Sequence, residues 1–182
     1  ALYSAKEHHG NYIQYEESLN KHTVQRLSLM SELRSAIAKD QLQLFYQPKM
    51  HIESSEIVMV ECLVRWIHPE HGFVGPDDFI PLAEQTGAIR DLTKWAITTA
   101  FRQQKAWSEK GINIGVAVNI SALDLVDLTL PSFVAEQLST FSAKPENLTL
   151  EVTESAVMDD PESALRALNM LSYNIYGKHY AV

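Results

Sequence analysis

The sequence predicts an α/β fold on a parallel sheet of the kind that closes into a barrel ringed by helices. About half of the barrel strands are present, after an N-terminal helical segment. Three observations predict it. Apolar, strand-like runs at 42–48, 57–66, 113–121 and 148–154 alternate with helical stretches. Along these runs, side chains sort by parity into an aliphatic face and a small or polar one. Residues 41–182 are too few for a complete barrel, which takes about 250 residues.

Taken in order, Leu2, Ala5 and Lys6 form one short helical face that stops at Gly10, a natural helix end. The spacing predicts a second helix with Thr23 as its cap. It carries Val24, Leu27, Met30, Leu33 and Ile37 on one face up to Lys39, an amphipathic linker over 23–40. "LQLFYQP" and "IVMVECLVRW" follow, and their short connection suits a hairpin as well as a parallel pair. Gly75 and Pro76 open a helix through "DDFIPLAEQTG" that ends at Gly87. A longer helix from Asp91, with Leu92, Trp95, Ala96, Thr99, Ala106 and Trp107, ends at Gly111. Residues 132–141 and 161–171 are the remaining helices. The last has Asp159 or Asp160 as cap, Pro161 in its first turn, and Leu165, Leu168 and Leu171 on one face.

Composition narrows the function. A chain of 182 residues with 46% hydrophobic content fits one globular domain, or one domain plus part of another. A net charge of −8, with the acidic residues scattered, disfavours a nucleic-acid polymer or an anionic membrane as partner. Cys62 is the single cysteine, which excludes an internal disulfide and agrees with a reducing cytoplasm. No apolar stretch approaches the ~20 residues needed to cross a bilayer, and no signal peptide opens the chain. No membrane contact is expected from this segment. A start at Ala1, without methionine, reads as cut from something longer.

Parity locates the polar residues. Met59, Glu61, Leu63 and Arg65 share one face of the second run, and Val58, Val60, Cys62, Val64 and Trp66 the other. In the third run Gly115, Ala117, Asn119 and Ser121 oppose Val116, Val118 and Ile120; in the fourth, Thr149, Glu151 and Thr153 oppose Leu148, Leu150 and Val152. Glu61, Asn119 and Glu151 thus occupy C-terminal strand ends, where barrels carry their reactive side chains. Three oxygen ligands, two of them anionic, suit magnesium, calcium or manganese better than zinc, and leave room for water and substrate. Other readings stand beside this one: a strand-end glutamate as a solvated terminus, and a strand-end asparagine as a turn former. Arg65 either neutralises Glu61 or offers its fork to phosphate oxygens. His68 and His71 in "HPEH" read as loop residues rather than zinc ligands, because Pro69 disfavours a helix and no cysteine accompanies them. Cys62 reads as a small buried hydrophobe, and Trp95, Phe101 and Trp107 as helix packing.

On "FYQPK" (45–49), "ECLVRW" (61–66), "HPEHGFVGPDDFIPLAEQTG" (68–87), "AVNIS" (117–121) and "LTLEVTES" (148–155), the chain resembles the EAL family of cyclic di-GMP phosphodiesterases. "ALYSAKEHHGN" resembles the last helix of a GGDEF domain, so residues 1–22 read as a remnant of that neighbour and 41–171 as the N-terminal part of an EAL-type barrel. The resemblance implies a TIM-like barrel that hydrolyses cyclic di-GMP to pGpG with Mg2+ or Mn2+. By motif, Glu61, Asn119 and Glu151 would be metal ligands. Gln47, Leu63, Arg65 and Pro76 would contact the dinucleotide.

Two departures shape the expectations. Cys62 replaces the alanine of the Glu-Ala-Leu signature, but parity turns it away from the site. The family's paired aspartates and its later catalytic lysine, glutamate and glutamine have no counterpart in "SYNIYGKHYAV", and Lys178 is not in the family's lysine context. Residues 172–182 therefore read as a non-family tail, from truncation or a shifted frame. No complete catalytic set is expected in this chain, which alone would be inactive. The alternatives are a non-catalytic cyclic di-GMP receptor, a protein-interaction module, or an unrelated metal-dependent barrel enzyme. Open barrel edges predict self-association.

Overall fold

The computed structural model describes residues 17–39, 41–152 and 161–176. The helical face at Leu2 to Gly10, the caps Asp159 and Asp160, and Lys178 lie outside the described residues. Helix α1 (Glu17–Ala38) leads into strands β1 (Leu42–Met50), β2 (Ile57–His68) and β3 (Gly72–Val74). Helices α2 (Pro76–Thr86) and α3 (Ile89–Ser108) precede β4 (Gly115–Ile120). The short α4 (Ala122–Leu125), α5 (Leu130–Phe141), a 3-10 turn (Pro145–Asn147), β5 (Leu148–Val152) and α6 (Pro161–Tyr176) complete the described chain.

The five strands form one mixed sheet in the order β1-β2-β4-β5, with β3 paired to the far end of β2. β2, β4 and β5 run parallel, each joined to the next through helices. β1 and β2 form an antiparallel hairpin, which settles the open question about the first pair. Residues 51–56 are too few for a parallel crossover, which takes about a dozen residues or more. The hairpin turn closes with His51 N–H bonded to Glu56 O (2.9 Å) and Ser55 N–H bonded to His51 O (2.8 Å).

Parity holds on the outer face of the sheet. Val60, Cys62, Val116, Val118 and Leu148 are buried in one core with Ala96, Ile97 and Phe101 of α3, Leu130 and Val134 of α5, and Leu171 of α6. A second core joins Leu29, Leu33 and Ala36 of α1 to Leu42, Trp66 and the Phe79, Leu82 and Ala83 side of α2. A smaller one packs Ala164 and Ala167 of α6 on Ile120 and Leu125.

Three sequence expectations are corrected. α1 begins at Glu17, so Thr23 lies inside the helix and does not cap it; "ESLNKH" contains no glycine or proline to stop the helix earlier. Its buried face is Leu29, Leu33 and Ala36, while Leu27 is exposed. Likewise α6 buries Ala164, Ala167 and Leu171 and exposes Leu165, and it continues past Leu171 to Tyr176. Small alanines on these faces are selected by close helix approach, which a search for large apolar residues overlooks. Of "HPEH", read as a loop, His68 is the last residue of β2, and the unassigned Gly72–Val74 just after it form β3, whose Val74 pairs with Trp66 and Gly72 with His68. Gly72, at φ 68°, makes the left-handed turn that brings the strand back.

Other boundaries follow local chemistry. Pro76 fills the first position of α2 after Gly75, and Gly87 ends it in the left-handed conformation with its N–H on Glu84 O. Ser121 is not the last residue of β4 but the cap of α4. Its hydroxyl accepts from Leu123 N–H (3.0 Å), while Asp124 accepts from the Ser121 N–H (2.9 Å), a reciprocal capping box.

Candidate functional site

The inner face of the sheet is built by register. Across the hairpin, Gln47 lies opposite Glu61, Phe45 opposite Leu63, and Gln43 opposite Arg65. On the parallel side, Glu61 aligns with Ala117, and Asn119 aligns with Glu151. Glu61 is therefore one inward-facing layer below Asn119 and Glu151, and its longer side chain reaches up. Ala117, fully buried between them, leaves the space for it.

The structure brings Glu61, Asn119 and Glu151 together and adds Lys49. Asn119 Nδ2 donates to Glu61 Oε1 at 2.9 Å. The Lys49 ammonium lies 3.6 Å from Glu61 Oε2 and donates to Glu151 Oε1. That bond to Glu151, with the charges of both carboxylates, holds the Lys49 ammonium above its ordinary pKa against the opposing cost of burial. Among the described residues, no cluster of three or more histidine, cysteine, aspartate or glutamate side chains is arranged to hold a metal. Two carboxylates share one ammonium here, and the Asn119 amide is bonded to one of them.

The charge next to Glu61 thus comes from Lys49, which the sequence reading left without a role. The clue was present: Lys49 follows Gln47 by two residues and shares its face. Arg65 instead donates from Nη1 to Val64 O at 2.9 Å, with its guanidinium 5.8 Å from the centre of the Phe45 ring. Gln47 is exposed opposite Glu61. Leu63 and Pro76 sit further along the same end of the sheet.

The pairing of β2 with β4 stops at Cys62 and Val118, whereas β4 and β5 stay paired to Ile120 and Val152. β2 and β4 therefore part at their C-terminal ends and open a cleft of about 860 Å3. Leu63, Arg65 and Asn119 line it from the strands, Pro76 and Ile80 from α2, and Leu92 from α3. Arg65, Asp77 and Glu84 are the charged residues that line it. Cys62 faces the helices, and burial, reinforced by the Glu61 charge, pushes its thiol up to about 12.

Sequence reasoning also missed Asp124. Buried at the start of α4, it accepts from Thr93 Oγ1 (2.7 Å) and ties α3 to the end of β4; burial raises its pKa, partly offset by these hydrogen bonds. The Ser121-x-x-Asp124 spacing is the signal that could have found it. His68 has both ring nitrogens engaged. Nδ1 accepts from Glu70 N–H (3.1 Å) and His71 N–H (3.2 Å), which leaves Nε2 to donate to Glu32 at 2.8 Å.

The EAL domain family matches residues 30–176. A bifunctional diguanylate cyclase/cyclic di-GMP phosphodiesterase, MucR of Pseudomonas aeruginosa, is 40% identical over 174 residues. The match takes in 94% of this chain and 25% of that protein. The cyclic di-GMP phosphodiesterase PdeR of Escherichia coli is 38% identical over 173 residues, 94% of this chain and 26% of that one. The chain thus spans about a quarter of the length of these curated relatives. The solved structure of the PaMucR phosphodiesterase in complex with c-di-GMP superposes with a TM-score of 0.75 at 37% identity, over 85% of this chain and 66% of that one. The Xanthomonas citri FimX EAL domain, also solved with c-di-GMP, shares the fold at a TM-score of 0.74 and 21% identity, over 85% of this chain and 60% of that one. No helix among the described residues is long and apolar enough to cross a membrane.

Proposed function

The chain belongs to the EAL domain family, whose role is hydrolysis of cyclic di-GMP to pGpG, and from that premise we propose that its described sheet carries one side of a cyclic di-GMP site. The observation that supports this is that Glu61 and Glu151 pair with a single cationic group, Lys49, while Asn119, on the strand between them, donates to Glu61. A place that already takes an ammonium between two carboxylates fits a hard divalent cation. Glu61 and Glu151 would hold it with carboxylate oxygens and Asn119 with its amide oxygen. Bound there, magnesium or manganese would supply Lewis acidity toward water and a phosphate oxygen.

The chain's own residues bind and orient the dinucleotide. Arg65, with one N–H held by Val64 O and its plane beside Phe45, keeps the rest of its fork for phosphate oxygens. Gln47 offers an amide opposite Glu61, while Leu63 and Pro76 present apolar surface to a guanine in the cleft between β2 and β4. Two-metal hydrolysis draws on more anionic ligands than the two carboxylates gathered here. The 182-residue polypeptide assayed alone is therefore expected to bind cyclic di-GMP without turnover. Lys49 favours a second reading, a receptor that needs no metal, because its ammonium already satisfies both carboxylates. Calorimetric titration with cyclic di-GMP, with and without Mn2+, separates the two: enhancement by Mn2+ supports the metal site, and equal affinity supports the receptor.

A further inference from the structure

Lys49 stands on β1, the outer strand of the described sheet, yet its ammonium reaches over β2 and β4 to Glu151 on β5. The ion pairs described for Glu61 and for Glu151 are both with this one side chain. Its placement is not forced by burial, since the Lys49 side chain is 38% exposed and has open solvent to return to. A β-bulge between Lys49 and Met50 breaks the hairpin register at this point, where the stem leaves the strand. An ammonium and a divalent cation repel each other and compete for the same carboxylate lone pairs, so the two cannot share the space between Glu61 and Glu151.

We propose that Lys49 is the resident counter-cation of this site and sets its affinity for divalent metal, which enters only as the ammonium swings out toward solvent. The proposal rests on the reading of Glu61 and Glu151 as metal ligands. It assigns Lys49 a positioning role: the residue holds the two carboxylates at a shared cation and excludes ions too weakly charged to displace it. The flexible four-carbon stem makes the exchange a side-chain rotation, with no movement of β1 required.

The test is Mn2+ binding by the 182-residue chain, read from the electron paramagnetic resonance signal of free Mn2+, with no nucleotide present. Wild type is compared with Lys49→Met, Lys49→Arg, Glu61→Gln and the Lys49→Met/Glu61→Gln double variant, each checked by circular dichroism for an unchanged fold. Lys49→Met is expected to bind Mn2+ about tenfold more tightly. Lys49→Arg is expected to keep wild-type affinity, and Glu61→Gln to remove the gain. Unchanged or weaker binding by Lys49→Met, where wild type binds and Glu61→Gln does not, overturns the role of Lys49 and leaves the metal site standing. A gain that survives Glu61→Gln overturns it as well. Absence of Mn2+ binding in both wild type and Lys49→Met overturns the metal reading and this proposal together.

Discussion

Arg65 and Cys62 lie three residues apart on one strand and face opposite ways, so substitutions at the two positions affect different properties. Arg65→Ala removes charge-assisted hydrogen bonds to phosphate, worth about 1.5–3 kcal/mol. Calorimetry should show cyclic di-GMP affinity reduced by roughly tenfold to a hundredfold, with thermal stability nearly unchanged. Cys62, buried against α3, should react with a thiol reagent at pH 8 only after denaturation. Its folded-state pKa is raised from 9.0 to about 12, so the buried neutral thiol contributes stability that is complete below pH 9. That contribution is lost as pH rises toward 12. Cys62→Ala should weaken the alkaline loss of stability, as followed by denaturant midpoints between pH 8 and 11. Three members of the candidate site were legible from parity, because Glu61, Asn119 and Glu151 are polar residues on the inner side of their strands, although Glu61 lies within β2 and not at its end as expected. Lys49 was overlooked although it shares a face with Gln47, because its bond to Glu151 crosses β2 and β4, a span that parity along one strand does not encode.

At the scale of elements, α1 is fixed to the sheet by packing and by one polar link. Leu33 is fully buried in the core that α1 shares with α2, Leu42 and Trp66, and Leu33→Ala should cost about 2–5 kcal/mol in a denaturant titration. Glu32 accepts from Ser28 Oγ at 2.5 Å and from His68 at 2.8 Å, and these bonds hold its carboxyl below the ordinary value near 4.5. A depressed carboxyl stabilises the fold above the unfolded pKa and loses that contribution as pH falls through the folded one. The melting temperature of the wild type should therefore drop more steeply below pH 4.5 than that of Glu32→Gln. Helix ends marked by backbone chemistry, such as Pro76 and Gly87, were readable in advance. The buried faces of α1 and α6 were misread because Ala36, Ala164 and Ala167 carry close packing without a strong apolar signal. β3 escaped notice because three residues are too short for any periodicity.

For the whole molecule, the described sheet has β1 and β5 as its outer strands, and its inner face exposes Phe45. Unpaired strand edges next to exposed apolar side chains invite pairing between copies. Sedimentation equilibrium of the 182-residue polypeptide should give an average mass that rises with concentration; a fixed monomer mass would contradict this. The central claim is that the inner face binds cyclic di-GMP through Arg65 and the Glu61 group. The most direct test is a calorimetric titration of this polypeptide with cyclic di-GMP in Mn2+, with chromatography of the same mixture for pGpG. The account predicts saturable binding, weakened by Arg65→Ala and by Glu61→Gln, with no pGpG formed. Absence of saturable binding, or binding indifferent to both substitutions, would contradict it.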